Sequence, residues 1–294
     1  MTDLVTIASD MLAARINPLG AELWSITDPA GREYMTDADP AFWTGHAPIL
    51  FPVIGMLNGG RYRLGDQTYE LPKHGFARHS RFAVVGTGAS ELHLRLVDSE
   101  ETRAVYPFAF ALDLRFRLVA ATLHVEAAIA NRGEQPMPFS FGFHPAFAWP
   151  LPGGAAKADH RVTFAEPEPE AIRRIDAVSG LLLAESFPTP VEGRELTPDP
   201  ALFAADALIW DSIASRSARF GAPHGAAITV DFPDSPMLGI WQKPGAAYLC
   251  IEPWQGIADP VGYYGDFADK PGAVKLAPGA TRSFRMDVTV TPAP

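Results

Sequence analysis

A single cysteine, Cys250, occurs in the 294 residues. That excludes an internal disulfide framework, and without any Cys-x-x-Cys or His-Glu-x-x-His pattern the chain offers no recognisable zinc site. Basic runs are missing as well. With a formal net charge of −10, the surface lacks the clustered Lys and Arg that neutralise phosphates, so nucleic acid is not an expected partner. No segment approaches the ~18 consecutive apolar residues of a membrane span, and Asp3 and Asp10 stand where a signal peptide would carry its basic n-region. These absences predict a cytoplasmic protein that neither enters a membrane nor leaves by a standard signal. Helical periodicity is scarce too: Pro40 to Trp43, Pro169 to Arg174 and Pro198 to Phe203 each suit a turn or two behind a leading proline, and none could carry a fold.

What the chain does have is turns and alternation. Its 28 Pro and 25 Gly imply many short connections and few long helices. Period-two patterning at Leu92-x-Leu94-x-Leu96 is the mark of a strand with one buried face. The same pattern at Leu112-x-Leu114-x-Phe116-x-Leu118, resumed at Leu123-x-Val125-x-Ala127-x-Ile129 and ended by Asn131-Arg132-Gly133, predicts a β-hairpin over 111–133. Further strands are expected at 5–7, 12–16, 22–26, 62–64, 82–85, 162–164, 227–232, 238–242, 248–252 and 283–290. So many short strands predict an all-β fold, a large antiparallel β-sandwich. Hydrophobicity and charge do not shift across the Pro/Gly clusters at 151–155, 188–193 and 221–225, so residues 1–294 are expected to form a single domain, with no repeat and no low-complexity tract.

Three separated segments carry chemistry: Lys73-His74-Gly75-Phe76-Ala77-Arg78, Phe141-Gly142-Phe143-His144-Pro145 and Cys250-Ile251-Glu252-Pro253-Trp254. Strand geometry over 138–144 puts Phe139, Phe141 and Phe143 on one face and Ser140, Gly142 and His144 on the other, with Pro145 ending regular pairing beside the histidine. A histidine so placed could equally be structural, bonded to a backbone carbonyl. Glu252 sits inside an apolar run, where an unpartnered carboxylate is costly and desolvation raises its pKa toward the range of a general base; the alternative is a buried salt bridge with Arg78. In the 73–78 loop, Gly75 permits close backbone approach and Arg78 offers planar, multidentate hydrogen bonds, which suits substrate positioning, although such a loop can also be an ordinary surface turn. Asp206 precedes a strand-like run and could accept hydroxyl hydrogen bonds, though many such residues only cap a turn. Trp241, Trp254, Phe51 and Phe76 lie near these segments and could stack on an apolar sugar face, while most phenylalanines are core. A proton donor and a proton acceptor, His144 and Glu252, are what opening and reclosing a sugar ring requires.

The motifs His-Gly-Phe-Ala-Arg at 74–78, Phe-Gly-Phe-His-Pro at 141–145 and Ile-Glu-Pro-Trp at 251–254, in that order and spacing, resemble the aldose 1-epimerase (galactose mutarotase-like) family. Ala47-Pro48-Ile49-Leu50-Phe51-Pro52 and Leu276-Ala277-Pro278-Gly279 resemble its early strand and final turn, so the likeness covers nearly the whole chain. The resemblance implies a supersandwich that binds a sugar in a surface cleft without metal or cofactor, as a monomer or homodimer. It also implies roles: His144 protonates the ring oxygen, Glu252 takes the anomeric hydroxyl proton, His74 holds the ring oxygen or a neighbouring hydroxyl, Asp206 (or its rival Asp211) anchors hydroxyls, and Arg78 resembles the arginine that helps hold the phosphate in hexose-6-phosphate mutarotases. Trp241 is expected at the substrate as a stacking ring. Relatives that act on hexose 6-phosphates carry an arginine before the Pro-x-x-Phe-Pro segment, where Thr44-Gly45-His46-Ala47 stands here, and many relatives have an arginine at the position of Met56. These departures favour a free aldose over a sugar phosphate. A sugar-binding or sensing protein on the same fold is the alternative from a different class.

Overall fold

The computed structural model describes residues 3–293, and they form an almost wholly antiparallel β-structure. One sheet runs, edge to edge, through Glu195–Leu196, Arg161–Phe164, Ser217–Gly221, Ala227–Asp231, Thr281–Thr291, Thr122–Asn131, Phe110–Val119, Glu91–Val97 and Ala83–Thr87. Its centre is the expected hairpin, Phe110–Val119 with Thr122–Asn131, joined across a two-residue turn in which Ala120 takes a positive φ. A smaller sheet pairs Phe141–Gly142 and Ala146–Ala148 with the same strand, Tyr248–Gln255, and continues through Met237–Trp241 to Leu208–Trp210. The chain start adds a three-stranded meander, Val5–Ala8, Ala13–Asn17 and Glu22–Thr27.

Alternation decides which residues lie between the sheets. From the large sheet, Leu112, Leu114, Phe116, Val125, Ala127, Phe284 and Met286 point inward; from the small one, Phe141, Phe143, Leu238, Ile240, Leu249 and Ile251 meet them in one continuous buried cluster. Phe141 stacks on Phe284 at 5.2 Å across the interface. The opposite parity therefore faces away from this core. Gly142, His144, Gly239, Trp241, Cys250, Glu252 and Trp254 share that second face, as the register of the small sheet requires.

Two expected helices do not form. Pro40 to Trp43 is a turn, and the 169–174 segment is extended because Arg173 pairs with Ile209 at the edge of the small sheet, exchanging both backbone hydrogen bonds. The third expectation ends in a 3-10 turn, Pro200–Phe203, capped by the Asp199 carboxylate, which accepts the Ala201 N–H. The one α-helix among the described residues, Glu100–Val105, starts at a Ser99/Thr102 capping box that its lack of apolar periodicity hid.

Two glycines of the small sheet are there for a neighbour's ring. Gly142 pairs with Trp254, and Gly239 pairs with Glu252 on the other side of the same strand. A Cβ at Gly142 would lie 2.5 Å from Trp254 Cδ1, and one at Gly239 would lie 2.6 Å from its Cη2, so the indole lies flat over the sheet only because both sites lack side chains. Gly239→Ala is expected to destabilise the fold by about 1–3 kcal/mol through overpacking. Thermal melting and tryptophan fluorescence read it; an unchanged melting temperature and spectrum would contradict the packing argument.

Candidate active site

Ladder arithmetic brings His144 and Glu252 together. Gly142 pairs with Trp254 and Ala146 with Cys250, so the intervening residues place His144 directly opposite Glu252. The flanking pairs keep only half their hydrogen bonds, Phe143 N–H to Pro253 O and Ile251 N–H to Pro145 O, because Pro253 and Pro145 have no N–H to return. His144 and Glu252 thus occupy a non-hydrogen-bonded antiparallel position, where facing side chains approach most closely. His144 Nε2 lies 3.2 Å from Glu252 Oε2, and both residues are buried.

This pair lines a cavity of ≈ 280 Å³ together with Lys73, His74, Arg78, Asp206, Trp241 and Trp254, and with the apolar Ile54, Ile175 and Ile209. All six residues singled out for a site therefore line one hollow: His144, Glu252, His74, Arg78, Asp206 and Trp241. Asp211 does not line it; its carboxylate is held 2.8 Å from Arg173 Nη1. Glu252 pairs with His144, and Arg78 is not its ion-pair partner. The sequence reading passed over Trp43, which stacks on the His144 ring at 5.0 Å and 28° from the turn after Pro40. Nothing local marks it, because its contact spans some hundred residues of chain.

Backbone constraint fixes His74. Its φ is 67°, in the left-handed region a side chain rarely adopts, and the following Gly75 approaches Phe51 so closely that a Cβ there would overlap the Phe51 carbonyl. Gly55 N–H donates to His74 Nδ1 at 3.0 Å, so the proton of the neutral ring is on Nε2. Asp206 also has a positive φ, 63°. Arg174 steadies that loop by donating to the carbonyls of Leu202, Asp206 and Ala207.

Electrostatics in the hollow favour neutral forms. Burial raises the Glu252 carboxyl well above its ordinary 4.5, Asp206 adds to this, and Lys73 opposes it. Burial also depresses His144 below its ordinary 6.5, with Arg78 and Lys73 pushing the same way. His74 is held well below 6.5 by burial first, then by His144, Lys73 and Arg78. Burial thus favours the uncharged form of each group, a protonated Glu252 carboxyl and a neutral His144 ring, with Oε2 and Nε2 3.2 Å apart.

Similar proteins can now be set beside this geometry. Residues 3–170 match the aldose 1-epimerase family. The chain belongs to that family. LacX, a chromosomally encoded protein of Lactococcus lactis subsp. lactis, is 30% identical over 295 residues, covering 97% of this chain and 99% of its own. Among solved structures, a galactose mutarotase-like protein from Lactobacillus casei superposes with a TM-score of 0.91 at 31% identity, covering 98% of this chain and 100% of that one. A galactose mutarotase related enzyme from Lactobacillus acidophilus gives 0.88 at 30% identity, covering 99% and 98%. For the aldose 1-epimerase fold, the large antiparallel sandwich expected from the strand pattern is the observed architecture. No helix among the described residues is long and apolar enough to cross a membrane.

Proton linkage gives a test of the burial argument. A carboxyl whose folded pKa lies above its unfolded value stabilises the protein fully below about 4.5 and loses that contribution as pH rises toward the folded pKa. Glu252→Gln removes this liability, so the gain in melting temperature over wild type should be larger at pH 8 than at pH 4.5. The depressed histidines give the opposite slope, a loss of stability as pH falls below 6.5, in both proteins. A melting-temperature difference that does not vary with pH would show that Glu252 is ionised in the folded state without His144 holding its proton.

Proposed function

We propose that the protein is an aldose 1-epimerase that interconverts the α and β anomers of a free hexose, with Glu252 as the base at the anomeric hydroxyl and His144 as the acid at the ring oxygen. The observation that carries this reading is the 3.2 Å approach of the two groups on the wall of one hollow. The two oxygens of a hemiacetal sit on one carbon, so an acid and a base within hydrogen-bond reach of one another can address both.

One proton serves the whole cycle. With the proton on His144, the pair is an imidazolium facing a carboxylate. Transfer of the anomeric proton to Glu252 and of the His144 proton to the ring oxygen breaks the C1–O5 bond, and leaves an aldehyde beside a neutral acid and a neutral imidazole. That is the form burial favours, so ring opening discharges a buried ion pair. Rotation about C1–C2 exposes the other face of the aldehyde, and closure returns both protons. The enzyme ends as it began, without a covalent intermediate.

Specificity follows from the remaining walls. His74, with Nε2 as its donor, and Arg78 offer hydrogen bonds to sugar oxygens; Asp206 offers an acceptor; Trp241 and Trp254 offer apolar faces. A volume of ≈ 280 Å³ suits a monosaccharide better than a longer chain. Lys73 and Arg78 are the cations of the lining, and the free-sugar reading rests on the further arginines that stand in relatives near residues 44–47 and at Met56 and are replaced here.

Polarimetry of freshly dissolved α-D-galactose and α-D-glucose, with their 6-phosphates alongside, tests the proposal. Wild-type protein should accelerate mutarotation of a free aldose, and His144→Ala or Glu252→Gln should each lose about 10²-fold or more of that acceleration. If wild type and both variants leave the spontaneous rate unchanged for every sugar, the protein binds sugar without turning it over, or does neither.

A further inference from the structure

The proton cycle just described has one state that the surroundings oppose. His144 must carry a positive charge in a buried position, with Lys73 and Arg78 on the same hollow and His74 at 5.9 Å, edge-on to its ring. The groups facing it otherwise are Glu252 at 3.2 Å and, on the same strand as Glu252, the Cys250 thiol, whose sulfur lies within 4.8 Å of the ligand atoms of the other two, and Tyr248 beyond it against Trp43. Glu252 is the countercharge in contact with it, Asp206 being the other carboxylate on the lining, and the reaction removes the charge of Glu252. Some other feature must hold the imidazolium.

Trp43 has the geometry to do so. Its indole lies face to face with the imidazole, 5.0 Å between centroids and 28° between planes, which puts a cationic ring over the electron-rich face of the aromatic best suited to it. The indole is itself fixed. Trp241 meets it edge-on at 5.5 Å and 88°, and Tyr248 packs at 5.6 Å. Its backbone is drawn back by the Asp39 carbonyl, which accepts the Phe42 and Trp43 N–H groups. Gly45 lets the ring fold over its own loop, since a Cβ there would overlap the indole. Trp241 also neighbours His144, but with ring centroids 6.0 Å apart and planes at 89° the contact is perpendicular rather than stacked.

We infer that Trp43 is the positioning residue for the acid: its indole face carries the positive charge of His144 during the cycle and fixes the plane of the imidazole against Glu252. The inference rests on the reading of His144 as acid. It assigns to Trp43 a role that involves no bond to the sugar's reacting atoms, and it explains why a buried imidazole can be both neutral at rest and charged before ring opening.

Three variants separate this from simple packing. In Trp43→Leu the doubly protonated pair, in which His144 is cationic, loses its support, so the acid limb of the kcat profile should move to lower pH by about one unit, with kcat at its plateau down about tenfold. KM should change less than about threefold. Trp43→Phe keeps an aromatic face and should restore at least half of both effects, and it reads the contact even where the leucine variant does not fold. His144 is followed directly by NMR titration of its ring Cε1–H signal, assigned by its loss in His144→Gln, and its midpoint should fall in the order wild type, Phe, Leu. A variant series in which KM rises while kcat, the acid limb and the His144 midpoint stay put would overturn the inference and leave Trp43 as a wall. If wild type shows no mutarotation at all, the assignment of function fails, while the NMR series still decides whether the indole supports the charge.

Discussion

Two residues on neighbouring antiparallel strands, at a position where neither strand can complete its hydrogen bonds, are the constraint on which the site depends. The prolines at 145 and 253 remove one N–H each from the pairs on either side of His144 and Glu252, yet the remaining bonds from Phe143 and Ile251 keep the register. A one-residue slip of the 141–148 segment against its partner would turn His144 into the phenylalanine core and Phe141 and Phe143 toward the hollow. The core therefore enforces the chemistry. Phe141 and Phe143, locked against Phe284 and against each other, decide on which side His144 emerges.

The price of that arrangement is desolvation, and the site is built around it. A buried carboxyl and a buried imidazole both prefer to be neutral, and here they face each other at 3.2 Å. Ring opening of a hemiacetal, the proposed reaction, needs a base and an acid that exchange roles in every turnover, and a pair with two tautomers, one charge-separated and one neutral, is suited to that task. Aromatic rings surround the pair for the same reason. Trp43, Trp241 and Trp254 line the hollow beside the pair, and Trp43 stacks directly on the His144 ring.

Backbone geometry supplies the rest of the hollow. His74 and Asp206, both at positive φ, present side chains from tight loops that a relaxed backbone would aim elsewhere. Each is held by hydrogen bonds that have nothing to do with a sugar: Gly55 N–H on the His74 ring, and Arg174 on the carbonyls around Asp206. Such local strain persists only where the surroundings over-determine it, which is the usual setting of a binding wall.

Period-two alternation by itself determined most strands, the central hairpin and the parity that sends Phe139, Phe141 and Phe143 one way and His144 the other, because the side-chain period of a strand is a local property of the chain. Composition likewise settled the scarcity of helix. The order of strands in the two sheets was not legible, nor were short strands such as Ala146–Ala148 and Glu195–Leu196, whose few residues carry no measurable period. The 169–174 segment reads as helix by its residues and is extended because an edge strand offers it partners. His144, Glu252, His74, Arg78, Asp206 and Trp241 could be named from motifs, but their meeting could not: it depends on pairings between segments a hundred residues apart. Trp43 shows the same limit most sharply, since stacking of one ring on another is set by tertiary distance and leaves no trace in the order of residues.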